Sequence, residues 1–326
     1  MNFLNSLIPF FLFSLPFIWA HDRPIVGLMS IPSTASADYP IDQYSYFGAG
    51  YVKFLEMAGI RVVPIPYDLP AQEIEDLFNK INGILIPGGG PSLWVDEDRM
   101  LGFSNMTLTS KFLLELAIKA NLNGDYFPIW GTCLGLEMLI LDVASDPTTM
   151  DIFNSENHHG NVLFLNKNSK VFEGMPEDLK LYAETEAPAF FFHKYGKRYD
   201  KFVLDKRLTE FFEVNAVSQD LDGLWFVSSA EGKKFPIYVS QFHPEMNLFE
   251  WKKEDNVNHE RESIEFSQYI ANFIGREVRK NEHRFESQED EDKYLIYNYN
   301  PVQVEDFYEQ VYFFKNRNYH EVIIQI

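Results

Sequence analysis

The chain has 326 residues, 46% of them hydrophobic and 16% aromatic, which supports a sizeable core and argues against disorder. Its formal net charge of -20 speaks against nucleic acid and anionic lipid as main partners, because an acidic surface repels both, and it fits solubility in an acidic compartment. This length accommodates one large α/β domain or two small ones.

Residues 2–20 carry no charged side chain and are mostly Phe, Leu, Ile, Ser and Pro, with Asp22 and Arg23 close behind. A membrane anchor and a cleaved signal peptide compete for this run. It is short for the roughly 20 residues a spanning helix needs, and Pro9 and Pro16 interrupt it. Ala20 is a small residue at the cleavage point, so residues 1–20 read as a signal peptide. That expectation places the chain in the secretory pathway, lysosomal or vacuolar or extracellular, with no membrane attachment after cleavage.

Beyond it, PIVGLM at residues 24–29 reads as a buried strand. Residues 44–58 have apolar side chains at helical spacing, Phe47, Tyr51, Phe54, Leu55 and Ala58, and Gly59 would cap the helix. Residues 61–66 form a second strand, 71–80 a short helix, and 84–86 a third strand ending in Pro87-Gly88-Gly89-Gly90. Residues 110–120 are helical, 126–130 make a fourth strand, and 134–141 begin another helix. This alternation predicts an α/β fold, a flavodoxin-like doubly wound and mostly parallel sheet with helices on both faces.

After about Asp146 the pattern changes. Residues 161–165, 211–218, 224–229 and 237–241 are strand candidates, and the last three are separated by turn-rich 219–223 and 230–235. They predict an antiparallel extension. Residues 260–280 return to helix, and 286–293 are a charged loop or helix start. No linker composition or internal repeat appears, so residues 21–326 read as a single domain.

The strongest local feature is Gly131-Thr132-Cys133-Leu134-Gly135, between an apolar strand and an apolar helix. It is the thiol counterpart of the G-x-S-x-G nucleophile elbow. Small neighbours two positions away let the turn close, the helix N-terminus favours the thiolate, and the Leu134 N–H is placed for an oxyanion. Cys133 is the chain's one cysteine, so no internal disulfide can form. The structural alternative is a glycine-bounded turn holding a buried, inert thiol.

A thiol nucleophile needs a base. Among eight histidines, His243 follows the strand at 237–241, where its ring can enter the crevice outside the carboxyl ends of the sheet. Glu245 can orient that ring and stabilise its imidazolium. The glycines at Gly88 and Gly89 expose backbone N–H groups that could complete an oxyanion hole with Leu134. His158-His159 is the nearest thing to a metal pair, but adjacent residues rarely point at one ion, so neither metal nor cofactor is expected. Asn105-Met106-Thr107 is an N-glycosylation sequon, compatible with export.

The strand, the elbow, the upstream glycine loop and the downstream H-P-E, in this order, resemble the class I glutamine amidotransferase superfamily. Within it the sequence is most similar to the γ-glutamyl hydrolase family. The resemblance rests on RPIVGLM at residues 23–29, YVKFLEMAGIRVVP at 51–64, INGILIPGG at 81–89, DYFPIWGTCLGLE at 125–137, FHKY at 192–195 and QFHPE at 241–245. It implies Cys133 as nucleophile, His243 as general acid/base, Glu245 behind that histidine, and Tyr51, Glu137 and His193 as further residues of the substrate site. It also implies small-molecule substrates, folate polyglutamates or γ-glutamyl peptides, and a homodimer. The sequence departs from the family pattern around residues 154–161 and in the last dozen residues, so no contact carries over there. A broader γ-glutamyl peptidase or glutaminase would share the chemistry. A secreted binding protein on an inactive hydrolase scaffold is the non-enzyme rival.

Overall fold

The computed structural model describes residues 22–166, 168–305 and 307–317. The expected signal peptide lies outside the described residues.

Strand Ile25–Met29 is buried at every position, and the same holds for Gly83–Ile86, Ile129–Thr132 and Ile237–Ser240. Unbroken apolar runs of this kind need cover on both faces, which is how parallel strands are used. Five parallel strands lie in the order Arg61–Ile65, Ile25–Met29, Gly83–Ile86, Ile129–Thr132, Ile237–Ser240. In chain order that is 2-1-3-4-5, the doubly wound flavodoxin-like arrangement. Strands Trp225–Gly232, Phe212–Gln219 and Leu163–Phe164 extend the sheet antiparallel, as the meander pattern predicted.

Helices cover both faces. A Cβ on Gly83 would lie 3.0 Å from Val278 Cγ1, at the end of helix Arg261–Val278. A Cβ on Gly135, in helix Leu134–Ala144, would lie 3.2 Å from Ile86 Cβ. Gly83 and Ile86 are three residues apart on one strand, so these two helices sit on opposite faces. Helix Ala49–Met57 packs beside Arg261–Val278, and Asn105–Leu122 beside Leu134–Ala144. Among the described residues no helix is long and apolar enough to cross a membrane.

Three segments differ from the sequence reading. Residues 44–58 are not one helix: Tyr44–Gly48 is a strand and the helix is Ala49–Met57. The strand pairs antiparallel with Gln310–Lys315, near the far end of the described residues. Tyr39 stacks on Phe313 at 3.8 Å and Phe47 meets Phe314 at 4.9 Å. An aromatic-rich stretch accepts either conformation, and a distant partner strand decides it. Together with Ile31–Pro32 and Val302–Gln303 these strands form a four-stranded sheet. Second, the helix expected from residue 110 begins at Asn105, where the Ser104 hydroxyl accepts from Thr107 N–H at 3.4 Å, an N-cap. Third, Asp151–Gly160 and Ala189–Gly196 pair as a separate two-stranded sheet with two irregularities in register. The polar run DIFNSENHHG hides this strand, because serine, asparagine and histidine occupy positions where apolar residues would have signalled it.

Candidate active site

The elbow strand Ile129–Thr132 passes directly into helix Leu134–Ala144, with Cys133 between them at φ 51° and ψ -107°. A non-glycine residue there stores on the order of 1–3 kcal/mol of backbone strain, a mark of functional turns. The flanking glycines are required by close approach. A Cβ on Gly131 would lie 2.8 Å from the Gly135 backbone, and one on Gly135 would lie 2.2 Å from the Ile86 carbonyl oxygen of the adjacent strand. The Cys133 N–H donates to Ser240 O at 2.7 Å, which ties the turn to strand Ile237–Ser240.

That strand runs parallel to the elbow strand, so the residues after both emerge at the same edge of the sheet. His243 arrives beside Cys133 for this reason. Its Nδ1 lies 2.7 Å from Glu245 Oε1 and 3.3 Å from Tyr51 Oη. The carboxylate accepts the Nδ1 proton, which leaves Nε2 with no hydrogen-bond partner among the described residues. Cys133, His243 and Glu245 are all buried, at 3%, 2% and 1% exposure.

The electrostatics couple the pair. Burial pushes the Cys133 thiol up, and the His243 imidazole and the Leu134 N–H oppose that rise. Burial would depress His243, but the Cys133 thiolate and Glu245 overcome it and hold the imidazole up at about 10. A thiolate on Cys133 and an imidazolium on His243 stabilise each other, each charge conditional on the other, while burial still leaves the thiol above its ordinary value.

The glycine loop closes over this pair. A Cβ on Gly88 would lie 2.5 Å from His243 Cε1, 2.8 Å from Tyr51 Oη and 3.1 Å from Cys133 Cβ. The expected oxyanion role for Gly88 needs correction. Its N–H donates to Tyr51 Oη at 2.7 Å and is thus turned toward the tyrosine. Gly89 and Leu134 both line the cavity and remain the candidates.

A cavity of about 770 Å³ opens above Cys133. Glu137, His193 and His243 line it, whereas Tyr51, Gly88 and Glu245 form the layer behind. Burial raises Glu137 to about 8, against a hydrogen bond from Gln241 Nε2 at 3.2 Å. Burial lowers His193 to about 3, and its Nδ1–H donates to Tyr195 O at 2.8 Å. His193 is therefore a neutral imidazole whose buried Nε2 lacks a partner among the described residues. Asn105 is elsewhere, exposed on the first turn of its helix, with Thr107 buried and donating to Leu93 O at 2.9 Å. His158 and His159 diverge, one bonding Ser155 Oγ and the other Ala187 O. Among the described residues no group of three or more His, Cys, Asp or Glu is arranged to hold a metal ion.

Several wall residues had no signal in the sequence. Tyr46 comes from the strand misread as helix, and Phe307 and Tyr308 precede the strand that pairs with it. Trp94 and Lys194 complete the wall beside Tyr195. Tyr46, Trp94, Phe307 and Tyr308 belong to no motif, whereas Lys194 and Tyr195 fall in the FHKY stretch at 192–195.

The model of the family described as peptidase C26 matches residues 24–245. The chain belongs to the peptidase C26 family. The matched span includes Cys133, His243 and Glu245 and ends at the last of these, so Phe307 and Tyr308 are cavity residues outside the family match. The chain is 36% identical over 286 residues to gamma-glutamyl hydrolase of Homo sapiens, covering 86% of this chain and 85% of that one. It is 39% identical over 295 residues to gamma-glutamyl hydrolase of Rattus norvegicus, covering 90% of each. Among solved structures it is similar to a glutamine amidotransferase from Methylobacillus flagellatus, at TM-score 0.46 and 12% identity, covering 82% of this chain and 98% of that one.

Proposed function

We propose that this chain is a γ-glutamyl hydrolase that cleaves the γ-glutamyl amide bonds of folate polyglutamates through a thioester on Cys133. The observation that carries the reading is the buried Cys133–His243–Glu245 series at the floor of the cavity, in a chain whose family relatives are named gamma-glutamyl hydrolase. A glutamine side chain is a γ-glutamyl amide of ammonia, and a polyglutamate tail is a γ-glutamyl amide of another glutamate, so one acyl-transfer site serves either.

In the proposed reaction the Cys133 thiolate attacks the γ-carbonyl carbon. The Leu134 and Gly89 N–H groups receive the oxyanion; losing one such donor costs on the order of 10²–10³ in rate. The His243 Nε2 proton passes to the departing nitrogen as the C–N bond breaks. His243 Nε2, now deprotonated, then takes a proton from water, which attacks the thioester, and the C–S bond breaks to release the γ-carboxylic acid and restore the Cys133 thiolate. Glu245 holds the ring, and Tyr51 bridges it to the glycine loop. Glu137, with its carboxyl raised to about 8, meets substrate at neutral pH as a proton-bearing donor. His193 offers an acceptor nitrogen.

Export through a signal peptide at residues 1–20, glycosylation at Asn105 and homodimer formation complete the proposal. The sequon asparagine is exposed, and modification ahead of folding would precede burial of Thr107. The test is incubation of the purified protein with a folate polyglutamate and identification of the products by mass spectrometry. Shortened folates from wild type and none from Cys133→Ala are the expected result. An intact substrate with wild type, or full turnover by Cys133→Ala, would refute it.

A further inference from the structure

In a chain of net charge -20, an anionic γ-glutamyl tail gains nothing from the protein's overall field and needs cations placed locally. Two are available beside the cavity. Lys194 lines it from the exposed side of strand Ala189–Gly196, one residue after the buried His193. Arg99 lies with its guanidinium carbon 4.0 Å from the ring centroid of Trp94 and 5.3 Å from that of Tyr195, both of them wall residues. The Lys194 ammonium is 5.7 Å from the same Tyr195 ring. One aromatic ring thus carries a cation from each of two separate segments. Neither cation forms a salt bridge among the described residues, whereas lysines and arginines elsewhere on the surface, such as Lys180, Arg198 and Arg207, are paired with carboxylates. Glu97 and Glu156 also line the cavity, so the charge of its rim is mixed and the position of each cation counts.

We propose that Lys194 and Arg99, bracketing Tyr195, bind the α-carboxylates on the leaving-group side of the scissile bond. They thereby direct the site to γ-glutamyl bonds followed by further glutamate and away from glutamine. The inference rests on the γ-glutamyl hydrolase reading and extends it to the substrate features that distinguish its rivals. Each γ-linked glutamate carries one free α-carboxylate, and ammonia carries none. Two cations held against one ring match two successive carboxylates. The ring faces restrict the guanidinium's freedom before the ligand arrives, which lowers the entropy lost on binding.

The experiment compares kcat and KM of wild type, Lys194→Ala, Arg99→Gln and Lys194→Arg on γ-glutamyl-glutamate, γ-glutamyl-γ-glutamyl-glutamate and an uncharged γ-glutamyl anilide. Loss of a charge-assisted contact predicts that the kcat/KM ratio of charged to uncharged substrate falls about 10-fold in Lys194→Ala, mainly through KM. Lys194→Arg should restore most of it, and Arg99→Gln should lower the ratio most for the longer peptide. Equal losses on charged and uncharged substrates, or an unchanged ratio, would overturn the inference. Calorimetry separates it from the hydrolase reading: γ-glutamyl-glutamate is titrated into Cys133→Ala with and without Lys194→Ala. If wild type cleaves no γ-glutamyl substrate but binding still depends on Lys194, the hydrolase reading fails and the carboxylate site stands. If binding ignores Lys194, the carboxylate site fails.

Discussion

Replacing Gly88 by alanine is a one-carbon change aimed at the centre of the site. The added Cβ would stand 2.5 Å from His243 Cε1, where carbon–carbon contacts settle at about 3.5–4.0 Å, so the imidazole must retreat by about 1 Å. The other directions are blocked as well, by Tyr51 Oη at 2.8 Å and Cys133 Cβ at 3.1 Å. A displacement of about 1 Å in a reacting group costs on the order of 10² in rate, equivalent to about 2.7 kcal/mol of barrier. Overpacking of this size destabilises the fold by about 1–3 kcal/mol, which a thermal melt would register as a modest shift. The assay is kcat/KM on γ-glutamyl-glutamate beside thermal denaturation. Gly90→Ala is the comparison, because its Cβ would meet only Thr34 Oγ1 at an ordinary 3.5 Å and should cost far less. If Gly88→Ala keeps kcat/KM within about threefold of wild type, the placement of His243 by this loop is wrong.

His243→Ala should abolish turnover and slow alkylation of Cys133 by iodoacetamide near neutral pH, since the imidazole that opposes the effect of burial on the thiol would be gone; unchanged labelling would contradict the coupling. Glu245→Gln should cost less activity than His243→Ala and lower the alkaline limb of the pH profile, because the carboxylate contributes to the raised imidazole; an unmoved limb would count against that role. Stability should fall as pH rises. Glu137 and Glu250, raised by burial from 4.5 to about 8, keep protons in the folded chain that the unfolded chain has lost across that window, so each lowers stability by up to about 1.4 kcal/mol per pH unit. His243, raised from 6.5 to about 10, acts in the same sense: its stabilisation is full below 6.5 and is lost as pH climbs through about 10. Melting temperatures should therefore be higher at pH 5 than at pH 8. Glu250→Gln should flatten the slope, and an opposite slope would refute the assignment.

The parallel sheet was legible because its strands are continuous apolar runs separated by helices of ordinary length. The elbow was legible because strand, glycines and cysteine lie within one short stretch. His243 could be paired with Cys133 only through the rule that crevices form at strand ends, and the 2.7 Å bond to Glu245 gives that pairing its geometry. Tyr51 and Gly88 were legible as site residues but not in their mutual arrangement, since no sequence shows which way an N–H points. Tyr46, Phe307 and Tyr308 were hidden for a different reason. Their place in the cavity depends on Tyr44–Gly48 pairing with Gln310–Lys315, a contact that local periodicity cannot register. Glu156 sits on the strand Asp151–Gly160, whose polar sequence conceals it, whereas Lys194 lies in the FHKY stretch already picked out in the sequence.

That antiparallel pair also bears on how the protein is made. The Cys133–His243 dyad could assemble once Gln241–Glu245 has left the ribosome, but the wall carrying Phe307 and Tyr308 must wait for Gln310–Lys315 to emerge and find Tyr44–Gly48. During translation the nascent chain would therefore hold a buried thiol under an unfinished roof. A product truncated after residue 300 would carry every residue of the family match while lacking one side of its cavity. Quality control of the newly made enzyme would then turn on the docking of its last described strand.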